Sequence, residues 1–170
     1  ENFGAIGAVI GHEIGHGFDD QGSRYDGAGN LNSWWTDEDR EAFEALTAKL
    51  VEQFNGLVPS VLDEGSQGVN GEFTLGENIG DLGGLGIAVV AYRNYEQNPD
   101  FEALFKAWAR VWRSKTRPEM AAQLLAIDPH APNEFRCNVI AANIDELYQA
   151  FDVEEGSAMW IAPEDRVKIW

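Results

Sequence analysis

Apolar residues recur at helical spacing along most of this chain. Near the start, four of them predict a helix that follows Asn2 as its N-cap and ends at Gly17. They are Ile6, Val9, Ile10 and Ile14. Thr36, followed by the acidic residues 37–39, predicts the start of a second helix. Its core-facing stripe consists of Phe43, Leu46, Leu50 and Phe54.

The later pattern is also helical. A short β-like piece before residue 77 leads into a helix that runs to about Tyr95, where Asn98 and Pro99 stop it. Further helices are predicted over 101–113, over 119–127 after Pro118, and around 138–151. Loops are predicted over 22–32, 59–71 and 128–132. The pattern favours a mainly α fold with at most short β pieces, in one unit that spans residues 1–170.

Charge and composition exclude several classes of partner. Twelve basic residues against twenty-nine acidic ones give a net charge of -17, which repels phosphate backbones, so we expect no nucleic-acid partner. No apolar run reaches the roughly 20 residues of a membrane span, so we expect no membrane segment in this chain. The single cysteine, Cys137, rules out an intrachain disulfide and is expected to be a buried thiol.

The stretch GHEIGHGFDD, residues 11–20, carries the first candidate chemistry. His12 and His16 stand one helical turn apart, so their side chains project from one face and can share a zinc ion. Glu13 lies on a neighbouring part of that face, where it can deprotonate a water without being a ligand. The alternative is a pair of histidines on an ordinary helix surface.

A catalytic zinc site needs a third protein ligand, and GENIGD, residues 76–81, supplies one. Glu77 can bind the metal, while Asp81, four residues later, can fix the tautomer of a ligating histidine. Asp20 stands four residues after His16 and can serve it in the same way. As isolated pairs, such carboxylates are more often solvated helix surface.

Glycines recur every four residues on both helices, although each costs up to about 1 kcal/mol in a helix interior. They are Gly7, Gly11 and Gly15 on the first and Gly80 and Gly84 on the second. A close approach of the two backbones would compensate this cost and bring Glu77 to a zinc held by the first helix. The alternative is that these stretches are loops, and the further glycines Gly83 and Gly86 are consistent with it.

With these residues in place, the chain resembles the neprilysin family of zinc metallopeptidases. The matching segments follow the family's order and span essentially the whole chain: VIGHEIGHGFDD, LGENIGDLGG, FKAWARVWR, DPHAPNEFRCN and APEDRVKIW. The resemblance implies a thermolysin-like zincin fold in which the HExxH helix packs against the GENxxD helix. It implies a zinc-dependent endopeptidase acting on oligopeptides.

The resemblance also assigns roles. It places one zinc per chain on His12, His16 and Glu77, with Glu13 as the general base for a metal-activated water. It makes Asp81 and Asp20 the orienting groups of the two histidines. It implies that His130 stabilises the oxyanion and that Arg136 donates a hydrogen bond to a substrate backbone carbonyl. The pocket for the residue after the cleaved bond would be lined by Val9, Val111 and Trp112.

Two departures from the family qualify this interpretation. The closing VKIW lacks the cysteine of animal ectodomains, so we expect a bacterial protein, cytoplasmic in the first instance and secreted or on the cell surface as the alternative. The family's large region before the zinc helix is absent, so we expect a C-terminal catalytic segment whose partner is the missing N-terminal part. The competing hypotheses are a noncatalytic zinc-binding or interaction module, a segment that binds metal but lacks enough of the cleft to cleave, and a metal-free helical scaffold.

Overall fold

A computed structural model describes residues 1–169, so the last residue of the closing motif, Trp170, lies outside the described residues. Seven α-helices make up about half of this part of the chain. They are α1 Ala8–Gly15, α2 Asp37–Phe54, α3 Leu75–Tyr95, α4 Phe101–Val111, α5 Pro118–Ile127, α6 Asn133–Ala142 and α7 Asp145–Ala150. Within residues 1–169, the β structure is limited to one isolated bridge between Tyr25 and Leu31. The mainly α fold is confirmed.

The first helical segment is longer than α1. A π-helical stretch, Phe3–Gly7, precedes it and a 3₁₀ turn, His16–Phe18, follows it, so the chain is helical from residue 3 to residue 18. The prediction that Asn2 caps this segment is wrong. Asn2 has helical backbone angles, φ -59° and ψ -35°, and its side chain makes no capping hydrogen bond. A cap needs an extended backbone that turns the side chain back towards the first N–H groups.

The second helix begins as predicted. The Thr36 hydroxyl oxygen accepts a hydrogen bond from the backbone N–H of Asp39 at 3.1 Å, which satisfies one free donor of α2. Three residues of its apolar stripe, Phe43, Leu50 and Phe54, are buried, and Leu46 packs partly buried against them. The stripe therefore faces the core.

Two predictions of later elements are wrong. Residues 71–74 form a turn and not a β piece, because the N–H groups of Glu72 and Phe73 donate to the Asn70 side chain. The helix expected around 138–151 is two helices, α6 and α7, separated at Asn143. The buried Asn143 side chain accepts the Val167 N–H at 2.7 Å and donates to the Val139 carbonyl at 2.9 Å. These hydrogen bonds hold Asn143 in the short connection between the two helices.

Helix α3 lies at the centre of the fold and packs against α1, α2 and α6. Its middle is buried, with Ile79 and Leu85 fully covered. The contact with α1 depends on glycine: a Cβ at Gly84 would lie 2.4 Å from the Ala8 carbonyl oxygen and 2.6 Å from the His12 nitrogen. A Cβ at Gly11 would lie 2.9 Å from the Gly84 Cα. The predicted close approach of the two backbones is confirmed.

Other predicted glycines contribute differently. Gly80 faces the His12 ring, which a Cβ would approach to 2.8 Å, whereas a Cβ at Gly15 would meet the Gly80 Cα at an ordinary 3.8 Å. Gly7 does not face α3; its nearest neighbour is the Asn2 carbonyl oxygen of its own segment. Two glycine contacts, at Gly11 with Gly84 and at Gly80, therefore set the distance between the helices.

The isoleucines that defined the first helix do not enter the core. Ile6, Ile10 and Ile14 are 58%, 55% and 63% exposed, because the glycine face of α1 takes the place against α3. The helical spacing was correct, but the apolar face points outward. Among the described residues, no helix combines the length and apolar character needed to cross a bilayer.

Candidate metal centre

The two histidines of α1 and a glutamate in the first turn of α3 meet where these helices touch. His12 Nε2 lies 3.2 Å from Glu77 Oε2, and His16 Nε2 lies 3.7 Å from Glu77 Oε1. One ligand atom from each of the three residues falls within 4.8 Å of the others. His12 is buried, while His16 and Glu77 are half-buried, so the cluster opens towards solvent on one side.

The outer nitrogen of each histidine is held by an aspartate. His12 Nδ1 lies 2.9 Å from Asp81 Oδ1, and His16 Nδ1 lies 2.8 Å from Asp19 Oδ2. Because a carboxylate accepts, each neutral ring carries its proton on Nδ1 and turns the Nε2 lone pair towards Glu77. Glu77 Oε2 is itself buried, and its polar neighbours are the ring nitrogens His12 Nε2 at 3.2 Å and His130 Nε2 at 3.0 Å. Two lone pairs and a buried carboxylate that converge in this way fit a bound cation.

The assignment of Asp20 to His16 is wrong, because Asp19 holds that position. Residues 16–18 form a 3₁₀ turn with three residues per turn, so the residue three positions after His16 reaches its ring. Asp19 Oδ1 also accepts the N–H groups of Gln21 and Gly22, at 2.8 and 2.7 Å, which fixes the carboxylate. The Asp-Asp pair at 19–20 signals an orienting carboxylate, but the choice between the two depended on the turn.

These contacts shift the pKa of two ligands in the metal-free protein. Burial disfavours the charged form of His12, but the hydrogen bond to Asp81 and the nearby Glu77 outweigh it and raise the pKa of His12 to about 9. Burial likewise favours neutral Glu77, yet His12, His130 and His16 together lower the pKa of this carboxyl. The cluster therefore holds positive charge on its imidazole side, which a metal ion would replace.

Arg136 reaches the cluster from α6. Its Nε donates to Asp81 Oδ2 at 2.7 Å and its Nη2 to Asp81 Oδ1 at 2.9 Å, so the buried Asp81 holds both His12 and Arg136. The guanidinium also lies 4.2 Å from the centre of the Trp112 ring. Sequence reasoning missed this pairing with Asp81. The assigned contact of Arg136 with a substrate carbonyl stays a prediction.

His130 stands beside the third ligand. Its Nε2 lies 3.0 Å from Glu77 Oε2, and its Nδ1 lies 2.6 Å from Asp128 Oδ1. Burial raises the pKa of Asp128, but hydrogen bonds from the His130 backbone and ring outweigh this and lower it. Sequence reasoning missed Asp128, although an aspartate two residues before the histidine in DPH was its signal. An Nδ1 bound to a carboxylate leaves Nε2 directed at the cluster.

The remaining predicted residues surround this centre. Glu13 is exposed on α1 next to His12, and Val9 is half-buried one turn earlier. Trp112 lines a cavity of about 510 Å³ together with His130, whereas neither Val9 nor Val111 is part of its wall. Val111 is 41% exposed. The structure thus brings Trp112 to the centre through Arg136, while the pocket assigned to Val9, Val111 and Trp112 stays a prediction.

Comparison with known proteins gives consistent matches along the chain. The model of peptidase family M13 matches residues 1–167. "Neutral endopeptidase" of Lactococcus lactis subsp. lactis is 42% identical over 170 residues, which are 100% of this chain and 26% of that protein. "Neprilysin-1" of Caenorhabditis elegans is 38% identical, over 99% of this chain and 24% of its own length. The chain therefore spans about a quarter of the length of the curated relatives it matches.

A solved structure agrees with the fold. The crystal structure of Mycobacterium tuberculosis zinc metalloprotease ZMP1 in complex with an inhibitor superposes with a TM-score of 0.94 at 50% identity. The superposition covers 99% of this chain and 27% of the ZMP1 chain. The predicted resemblance to the neprilysin family is confirmed by these matches.

Proposed function

This chain belongs to peptidase family M13, and from that membership we propose that it forms the zinc-binding catalytic part of a metalloendopeptidase that hydrolyses oligopeptides. The convergence of His12 Nε2, His16 Nε2 and the Glu77 carboxylate carries the proposal. Two imidazoles and one carboxylate are a ligand set used by catalytic zinc. When bound, one zinc ion would supply Lewis acidity, lowering the pKa of water and polarising a carbonyl.

The groups around the ligands support separate tasks. Glu13 is exposed on the same helix, so its carboxylate can take a proton from the attacking water and return it to the leaving amine. His130 is held in direction by Asp128 through Nδ1, and in its doubly protonated form its Nε2 can donate a hydrogen bond to the oxyanion as charge develops. Asp81 keeps the His12 ring oriented and pairs with Arg136, whose remaining Nη1 can donate to a substrate carbonyl.

The relatives are about four times as long as this chain. This supports the remainder of the same peptidase as the partner of this chain. The chain covers 26% of the Lactococcus protein, and Ile6, Ile10 and Ile14 form an exposed apolar stripe on the helix that carries the two histidines. We propose that residues 1–170 are the C-terminal portion of a catalytic domain and that an N-terminal part packs on this stripe and completes the substrate cleft. Oligopeptides are the proposed substrates. A bacterial protein, cytoplasmic or alternatively secreted, stays a prediction.

The test is hydrolysis of an internally quenched oligopeptide by the zinc-loaded chain, with and without a chelator. We expect cleavage that the chelator abolishes. Glu13→Gln should bind zinc with unchanged affinity and lose hydrolysis, because it removes the proton acceptor and keeps all three ligands. A variant that still cleaves would refute the role of Glu13. Zinc binding without chelator-sensitive cleavage by the wild-type chain would instead favour the noncatalytic zinc-binding module or a segment that holds zinc but lacks enough of the cleft to cleave.

A further inference from the structure

Asp20 and Gly76 form a contact between the loop after α1 and the first turn of α3. A Cβ at Gly76 would lie 2.9 Å from Asp20 Oδ1 and 3.4 Å from Asp19 Oδ2. Both carboxylates therefore rest against the backbone of Gly76, and the missing side chain makes room for them. None of the ligand or proton-transfer roles described for this site requires Asp20.

The environment of Asp20 shows what balances its charge. Its Oδ2 accepts a hydrogen bond from Gln21 Nε2 at 2.8 Å, whereas Oδ1 is buried without a hydrogen-bond partner. A buried carboxylate oxygen without a donor is unfavourable unless a positive potential offsets it. The first turn of the 21-residue helix α3 supplies that potential, because unpaired N–H groups give a helix a positive end there. Asp20 thus holds the loop against the start of α3.

This contact links two proposed ligands. Asp19, next in sequence to Asp20, holds His16 Nδ1, and Gly76 immediately precedes Glu77. We propose, on the basis of the proposed zinc site, that Asp20 and Gly76 are positioning residues that keep Asp19 on His16 and set the distance between His16 and Glu77. Neither would touch the metal. A shift of the loop by several tenths of an ångström exceeds the tolerance of about 0.2 Å in metal–ligand distances.

The primary test is Gly76→Ala, with Gly86→Ala as the matched control in the same helix. A Cβ at Gly86 would meet no atom within 4 Å, so this variant reports helix propensity alone. Zinc affinity is measured by competition with a chromophoric chelator. We expect at least about tenfold weaker binding for Gly76→Ala and wild-type binding for Gly86→Ala. Equal affinities for the two folded variants would overturn the proposal.

Two further readouts separate positioning from a general loss of structure. Long-range ¹H–¹⁵N spectra of the imidazoles should show His16 protonated at Nδ1 in the metal-free chain at a pH where it is neutral, and a mixture of tautomers in Gly76→Ala. Asp20→Ala removes the atom nearest to the new methyl group, so Gly76→Ala should weaken zinc binding much less in an Asp20→Ala background than in the wild-type chain. An equal loss of affinity in both backgrounds would contradict the contact as the cause.

Asp20→Asn keeps the shape of the side chain and removes its charge. Unlike Gly76→Ala, it therefore tests the contact without introducing a steric clash. We expect zinc binding about two- to fivefold weaker than for the control Asp63→Asn, which removes an equal charge from an exposed loop position. Identical affinities would overturn the role of Asp20. Absence of zinc binding by the wild-type chain would instead overturn the proposed zinc site itself.

Discussion

Substitution of Gly84 by alanine tests whether the contact of α1 with α3 controls both stability and the metal centre. The added Cβ would lie 2.4 Å from the Ala8 carbonyl oxygen and 2.6 Å from the His12 backbone nitrogen. Ordinary contacts of this kind are near 3.5 Å, so the helices must separate by about 1 Å. Both close atoms belong to backbone, which cannot turn aside as a side chain can.

The magnitude follows from comparison with Gly86→Ala. At Gly86 the new methyl group meets open space, and the better helix propensity of alanine should stabilise the chain by up to about 1 kcal/mol. Gly84→Ala gains the same helix propensity, so the difference between the variants is the overpacking cost at Gly84, about 1–3 kcal/mol. For a chain of 170 residues this corresponds to at least about 2 °C in melting temperature.

Thermal unfolding in a chelator and in excess zinc is the appropriate assay, because it separates intrinsic stability from stabilisation by the metal. Separation of His12 from Glu77 should also weaken zinc binding by at least about tenfold, since metal–ligand distances tolerate only about 0.2 Å. Equal melting temperatures and equal zinc affinities for Gly84→Ala and Gly86→Ala would refute the argument that this glycine sets the geometry of the site.

Three further predictions concern single residues. Thr36→Ala should lower the free energy of unfolding by about 1 kcal/mol in urea, because the Asp39 N–H loses its acceptor, and unchanged stability would count against the cap. Asn143→Ala should cost about 2 kcal/mol or more, since it leaves the buried Val167 N–H unpaired; a cost under about 0.5 kcal/mol would contradict this. Cys137 is half-buried and not fully buried as expected, yet burial still raises the pKa of its thiol to about 11, so the native chain should react slowly with maleimide at pH 7 and faster as the pH rises; immediate reaction at pH 7 would contradict the raised pKa.

The parts of the site that were predictable depend on local spacing. His12 with His16, and Glu77 with Asp81, are pairs four residues apart, so the helical period alone fixed their common faces. The repeated glycines predicted that α1 and α3 pack closely, because glycines in helix interiors cost stability unless a close contact offsets that cost. The isoleucines at helical spacing predicted the first helix correctly but did not indicate which of its faces is buried, since Ile6, Ile10 and Ile14 face outward.

What the sequence did not predict depends on tertiary contacts or on the local type of helix. The choice of Asp19 over Asp20 required a 3₁₀ turn at residues 16–18, which no spacing rule signals. The pairing of Arg136 with Asp81 spans 55 residues and arises only when α6 packs on α3. The break at Asn143 likewise depends on Val167, which is 24 residues later in the chain.

The central claim is that His12, His16 and Glu77 hold one zinc ion. X-ray absorption spectroscopy of the zinc-loaded chain, combined with metal analysis, tests it most directly. The account predicts one zinc per chain with nitrogen and oxygen ligands at about 2.0–2.2 Å, and loss of this ion in Glu77→Ala. A sulfur ligand at about 2.3 Å from Cys137, or zinc retained unchanged in Glu77→Ala, would contradict it.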